Sequence, residues 1–428
     1  MLKDDPLEGT ALGPIAALLV GISILLFGGG LQGTLLGVRA AMEAFPLQAI
    51  GAAMSAYYGG YIAGYFISPR LVFRVGHIRA FTAFAAIASA TALAQGLFVD
   101  PAAWLVLRFA GGVCFAGLFM ITESWLNGRA TNRTRGRLLA VYMMVQLGAL
   151  ATGQLLLMLG DPRTLDLFAV AAALISIGLV PVALTKSEAP RVMSPHSMRL
   201  RVLYAISPLG VVGCFASGLA LGAFWGMGPV YAHEIGLSTR GVGLFMGMTI
   251  LGGMILQWPI GRMSDRTDRR FLIMGISLAI AGASAGLSAL DAESLPYLLA
   301  LAVAFGGLAF SLYSICVAHT NDLIQAEDMV AASSGLLLVY GVGAAAGPYA
   351  ASAVMSVLGP AGLYAFAAVA TFAAGLFALY RARVRPPVPV EDRTEFVPLP
   401  RTSPVVLALD PRAEPGSGGG DEDVPPGP

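Results

Sequence analysis

The sequence predicts an all-α membrane protein: twelve transmembrane helices in two six-helix bundles related by pseudo-two-fold symmetry. Three observations lead there. Of 428 residues, 57% are hydrophobic and 12% charged, about half the charge of an ordinary soluble domain. Polar interruptions cut the apolar sequence into stretches of about twenty residues, the length at which a helix crosses roughly 30 Å of hydrocarbon. The second half also repeats features of the first at a nearly constant offset.

In chain order the spans fall at roughly 14–38, 47–67, 80–99, 102–126, 138–159, 167–185, 205–232, 241–261, 271–290, 296–319, 330–358 and 361–380. Asp4, Asp5 and Glu8 precede the first, an acidic start unlike a cleavable signal peptide, so that helix is expected to stay. Between spans two and three lie Arg70, Arg74 and Arg79; between four and five, Arg129, Arg133, Arg135 and Arg137. The interval from Lys186 to Leu203, with Pro190, Pro195 and four basic residues, is the longest polar break and reads as a cytoplasmic linker. Arg262, Arg266, Arg269 and Arg270 sit between spans eight and nine, and Arg381, Arg383 and Arg385 follow the last. Alternate loops thus collect 18 basic residues while the others hold Arg39, Arg163 and Arg240. This positive-inside bias predicts that both termini are cytoplasmic, and a count of eleven or thirteen spans would destroy it.

The expected units are a bundle at 1–185, the linker at 186–203, a second bundle at 204–385, and a tail at 386–428. Rich in Pro, Gly, Glu and Asp, the tail is expected to be disordered for want of apolar surface. Cys114, Cys214 and Cys316 each lie alone in an apolar run, with no disulfide or metal-ligand spacing, and read as packing residues. Arginine outnumbers lysine 24 to 2, which points to a GC-rich, bacterial genome.

The repeat appears at four places. Pro69, Phe73, Arg74, Gly76 and His77 face Gly261, Asp265, Arg266, Asp268 and Arg269 at an offset of 192. Gly29, Gly33 and Gly37 face Gly218, Gly222 and Gly226 at 189; Gly111, Gly112 and Phe115 face Gly306, Gly307 and Phe310 at 195; Gly153 faces Gly347 at 194. Together these argue for duplication of a six-helix unit in one orientation. The stretch Gly261-Arg262-Met263-Ser264-Asp265-Arg266-Thr267-Asp268-Arg269-Arg270 resembles the loop signature Gly-x-x-x-Asp-Arg-x-Gly-Arg-Arg of the major facilitator superfamily, with Asp268 in place of the second glycine. The segments around Gly261 and from Glu123 to Arg137 also resemble an uncharacterised bacterial branch of that superfamily.

Chemistry in such a chain means binding and movement: no Ser-His-Asp set, phosphate loop or metal cluster is visible, so neither an enzyme nor a cofactor is expected. The resemblance implies that the first, fourth, seventh and tenth helices line a central cavity. Arg108 is the main candidate. It lies about six residues, ~9 Å, outward from the middle of its span, where a charge costs at least ~2.5 kcal/mol unless it faces water or a partner. A structural arginine bonded to helix carbonyls is the competing reading, and the residue expected opposite it in the second half is Val303. Gln32, Gln146, Trp225 and Tyr313 are further substrate or coupling candidates; Gln154, Gln257, Tyr231 and Tyr340 are weaker ones.

Glu123, at the C-terminal end of its helix, needs a cation, and Arg135 and Arg137 are the expected partners. The resemblance casts Asp265, with Arg266 and Gly261, as a latch meeting the start of the fifth helix near Arg135. Because Phe73 replaces the acid in the first-half copy, the equivalent second latch is expected to be missing. Gly343 to Pro348 resembles the bend that superfamily antiporters carry in the fifth helix, although here it falls in the eleventh. The expected function is secondary transport of a small molecule across a bacterial inner membrane by alternating access, with a proton as the candidate coupling ion. The chain is expected to be monomeric, with no nucleic-acid partner. A facilitated-diffusion uniporter and a transporter-like sensor or scaffold are the alternatives.

Overall fold

The computed structural model describes residues 8–131, 133–184, 197–384, 388–389 and 393–412. Among these, twelve long helices and one short one follow in order: α1 (Glu8–Met42), α2 (Leu47–Val75), α3 (His77–Leu97), α4 (Pro101–Arg129), α5 (Arg135–Leu155), α6 (Asp166–Ala183), α7 (Leu200–Ile206), α8 (Pro208–Glu234), α9 (Thr239–Arg266), α10 (Arg269–Ala289), α11 (Leu295–Asn321), α12 (Met329–Leu358) and α13 (Gly362–Val384). Helix starts are written locally. Asp100 accepts the Ala103 N–H at 2.9 Å ahead of Pro101, and Ser207 accepts the Gly210 N–H at 3.3 Å ahead of Pro208. In each case an acceptor side chain satisfies a free N–H and proline fills a position with no bond to lose. Eleven of the long helices are apolar and long enough to cross a membrane. The exception is α2, whose hydropathy is lowered by Tyr57, Tyr58, Tyr61 and Tyr65 and by Arg70 and Arg74.

Helix α1 packs on α5 and α6, α2 on α4, and α3 on α4 and α6; in the second bundle α8 packs on α12 and α13, α9 on α11, and α10 on α11 and α13. The close approaches fix the symmetry residue by residue. A side chain at Gly60 would strike the Phe109 carbonyl, and one at Gly252 the Val303 carbonyl; Gly112 meets Tyr57 O as Gly306 meets Thr249 O. Gly30 lies against the Leu150 carbonyl as Gly222 lies against that of Ala344. These pairs set an offset of 192 for α1/α8 and α2/α9 and 194 for α4/α11 and α5/α12. Two expected alignments are therefore corrected. Gly29, Gly33 and Gly37 do not face Gly218, Gly222 and Gly226, because stripes repeating every four residues slip by three, nearly one turn, and stay on almost the same face. Gly112 rather than Gly111 matches Gly306, so Arg108 corresponds to Ala302, not Val303.

Between the bundles α1 meets α8, α2 meets α12 and α5 meets α9. Their tightest contacts cluster at one end. There Gly37 touches Pro229, its own symmetry mate, and Gly51 lies under Pro348 and Ser352, while Gly243 sits against the Gln154 carbonyl. Toward the other end, which carries Arg74, Arg129, Arg266 and Arg381, a wedge of space opens, and residues 393–412 enter it and fill part of it.

That insertion corrects the expectation of a disordered tail. Leu399 is exposed by only 1%, and so, at 1% or less, are Val406, Leu407 and Leu409 in a short helical turn (Pro404–Leu409) packed on α4, α5 and α12. Composition averaged over 386–428 hid this apolar run, and burying each such side chain contributes about 1.5–3 kcal/mol. Apart from 388–389, the rest of that expected tail is outside the described residues, as is 186–196 of the linker. At the linker's end Met198 N–H donates to Ala331 O at 2.9 Å, and α7 crosses the expected boundary at 203.

Candidate functional site

The wedge encloses a cavity of about 510 Å³, within the usual range for small-molecule sites. Its wall is aromatic and cationic. Helix α2 turns Tyr57, Tyr58, Tyr61 and Tyr65 inward, Trp225 and Phe310 come from α8 and α11, and Tyr340 from α12. Arg70, Arg108 and the tail's Arg401 line it, and no Asp or Glu among the described residues does. Tyr57, Tyr61 and Tyr65 repeat at i, i+4 and i+8, one helix face, a periodicity written in the sequence. The second, fifth and eleventh long helices line the space along with the first, fourth, seventh and tenth.

Arg108 lies with its guanidinium 4.0 Å above the Tyr57 ring. Its Nε is buried without a hydrogen-bond partner, and no carboxylate pairs with it among the described residues. The ring face offers a cation–π contact but leaves the N–H groups open. Gln32, Gln146 and Trp225 also line the cavity. Gln32 is occupied, donating to Gln95 Oε1 at 2.7 Å, and Trp225 packs edge-on to Phe310 at 6.0 Å. Gln154 is satisfied too, accepting from Thr34 and donating to Gly30 O at 3.1 Å. Tyr313 is corrected: fully buried, it stands outside the cavity, 5.3 Å behind the Tyr340 ring. Gln257 reaches Phe310 O at 3.4 Å and joins α9 to α11.

Glu123 is 0% exposed, and its predicted partners are not the ones it has. Tyr142 donates to its Oε1 at 2.9 Å, Thr402 donates to the same oxygen, and Ser403 donates to Oε2. Arg135 instead buries an Nε without a hydrogen bond, and Arg137 is exposed. Spacing along the chain suggested a cation; the inserted tail brings hydroxyls.

Asp265 likewise does not meet the start of α5. Its partners are Arg269 at 3.3 Å and the Phe396 N–H of the tail at 2.7 Å, and Gly261 leaves room for the Phe396 ring. Arg266 is exposed. The hub is Arg269, 2% exposed, which donates to Ser264 Oγ at 3.0 Å, Ala318 O at 3.0 Å, Asp322 Oδ1 at 2.5 Å and Thr394 O. Nothing in sequence spacing pairs residues 269 and 322, which the fold alone brings together. Burial holds the Asp322 carboxyl above its ordinary range, against the pull of Arg269 and Thr394. At Asp268 burial also pushes upward, but hydrogen bonds from Arg270 and the charges of Arg270 and Arg393 hold the carboxyl below its ordinary value. All three cysteines are buried and free, as packing residues should be, although the fold sets Cys214 beside Cys316.

A family model of the Major Facilitator Superfamily matches residues 210–412. The uncharacterised MFS-type transporter YcaD of Escherichia fergusonii is 30% identical over 338 residues, covering 78% of this chain and 87% of that protein. The chain belongs to the major facilitator superfamily. YcaD of Salmonella typhimurium is 29% identical over 345 residues, 80% of this chain and 89% of its own. Among solved structures, the nucleoside transporter NupG superposes with a TM-score of 0.68 at 14% identity, covering 87% of this chain and 98% of that one. A bacterial homologue of the human lysosomal transporter Spinster gives 0.67 at 14%, covering 89% and 97%. Those likenesses show the fold. The superfamily assignment makes this chain a multi-pass membrane transport protein rather than an enzyme, with a small-molecule substrate and a lipid surround.

Proposed function

We propose that this superfamily member carries a small organic anion, by alternating access of the two bundles about the central cavity. The observation that carries this is Arg108, lining the cavity with open N–H groups and no carboxylate. An unpaired cation in such a place is costly unless a substrate brings the opposite charge. Arg70 adds to the same sign, and the tyrosines, Trp225 and Phe310 offer flat apolar walls, so an aromatic or otherwise amphipathic carboxylate or phosphate fits best. The arginine-rich end is read as cytoplasmic by the positive-inside bias. The conformation is then inward-facing, its outer end shut by Gly37 on Pro229 and Gly51 under Pro348. Glu123, held by hydroxyls rather than by a cation, is the group assigned to proton coupling, since it can exchange a proton without breaking an ion pair.

Flux into proteoliposomes tests the reading, using radiolabelled aryl carboxylates, organic phosphates, sugars and lipophilic cations, with and without a pH gradient. Anions are expected to move in the parent. Their flux should fall at least about tenfold in Arg108→Ala, as the loss of one charge-assisted hydrogen bond implies, and Glu123→Gln should abolish the response to the gradient. Movement of cations alone, or of nothing, would contradict it. A membrane sensor that carries no solute is the second reading, favoured by the tail that ties the bundles together, and absence of any flux would support it.

A further inference from the structure

We propose that the vestibule at the arginine-rich end is a peptide-binding site, that its ligand is this chain's own segment 393–412, and that the carrier cycles only when that segment withdraws. The segment is bonded to both bundles at once. On the second bundle Arg393 donates to Thr267 O at 2.7 Å, Phe396 N–H to Asp265 at 2.7 Å, and Leu399 N–H to Ser314 Oγ at 3.2 Å. On the first, Tyr61 donates to Thr402 O at 2.7 Å and Asn127 to Val405 O at 2.5 Å. Arg412 closes the loop on itself by donating to Glu395 O at 2.7 Å, so the segment enters, turns at Arg401 to Ser403 and returns as a hairpin.

The turn reaches the cavity itself. Arg401 donates to Phe310 O at 3.3 Å, with its guanidinium 4.7 Å from the Phe310 ring and 5.5 Å from that of Tyr340, while Thr402 and Ser403 hold Glu123. The buried backbone of an extended segment finds its partners in side chains of the wall, which is how a built peptide site meets the requirement that buried polar groups be paired. Two consequences follow. A hairpin wedged between the bundles blocks the closing of this end that alternating access requires. It also occupies the carboxyl assigned to proton coupling and puts a second arginine beside the substrate path, so docking and transport exclude each other.

The cycling claim rests on the carrier reading, whereas the docking claim does not, and the experiment separates them. In a full-length chain carrying Cys114→Ala, Cys214→Ala and Cys316→Ala, Gly136→Cys and Pro411→Cys are introduced. A Cβ at 136 lies 3.9 Å from that of Pro411, within the disulfide range. Mild oxidation should cross-link these two in most molecules. Separately, Gln146→Cys in the cavity is labelled with a membrane-impermeant maleimide in inside-out vesicles, with and without Ser403→Asp, which sets a second carboxylate against Glu123. Labelling should quicken about tenfold or more with Ser403→Asp, as expected if the undocked form is a minor state. Failure of the cross-link, or equal labelling rates, overturns the docked segment. In proteoliposomes the oxidised pair should carry no anion and regain flux on reduction; undiminished flux when cross-linked overturns the cycling claim. If the reduced protein also carries nothing, the failure falls on the carrier reading, while cross-link and labelling still decide docking.

Discussion

A charge inside an apolar span is conspicuous in one dimension, which is why Arg108 stands out as a candidate in the sequence, and the fold puts it on the cavity wall. Its neighbours cannot. Tyr57 and Tyr61 read as ordinary helix residues until the fold sets α2 against α4, and Gln32 and Gln146 look equivalent until Gln95 is seen to occupy one of them. Glu123 and Asp265 were legible as residues that need partners, but besides Tyr142 and the i+4 neighbour Arg269 they take partners from a segment nearly 280 and about 130 positions away, which no local pattern could supply. At this scale Asp268 makes a pH-dependent prediction. It caps α10 by accepting the Arg270 N–H at 3.0 Å, and its carboxyl is held below the ordinary value. The folded protein therefore keeps it ionised to lower pH than the unfolded chain does. The resulting stability is whole at neutrality and is lost as pH falls through the lowered value, below about 4. Asp268→Ala should cost about 0.5–2 kcal/mol at pH 7, and its melting-temperature deficit in detergent should narrow below about pH 4. A deficit that is constant with pH would contradict the assignment.

Among the elements, α2 shows how a hydropathy reading can mislead and inform together. Its low apolarity removes it from the eleven spans recognised by length and composition, yet the same tyrosines make it a cavity helix. The other helices were legible because burial in lipid demands about twenty apolar residues, and their caps are local. Their register against one another was not, since a Gly or Ala match can slip by a turn without changing face. The packing of α2 on α4 and of α9 on α11 gives a paired prediction. Gly112→Ala and Gly306→Ala each push a methyl into a facing carbonyl, of Tyr57 and of Thr249, and should destabilise by about 1–3 kcal/mol. Gly282→Ala, in α10 with open space around it, should be neutral or stabilising by up to about 1 kcal/mol. Thermal unfolding in detergent separates these, and equal melting temperatures for all three variants would refute the alignment of the two bundles.

For the whole molecule, duplication places one cavity on the axis between the bundles, and divergence then makes it asymmetric: Arg108 in the first half stands where the second has Ala302. The fold class and the superfamily were legible because membrane crossing and duplication both write long-range regularities into a sequence. The inserted hairpin breaks the repeat and was legible only in three dimensions. The most direct test of the account is ligand-induced thermal stabilisation of the purified full-length protein, alone and with Ser403→Asp to free the vestibule. The ligands are a matched trio: an aryl carboxylate, its neutral amide and its cationic amine. The account predicts that the carboxylate alone stabilises the protein, more strongly with Ser403→Asp, and that Arg108→Gln raises the concentration required by about 10- to 150-fold. Stabilisation by the amine, or an unchanged response to the carboxylate in Arg108→Gln, would contradict it.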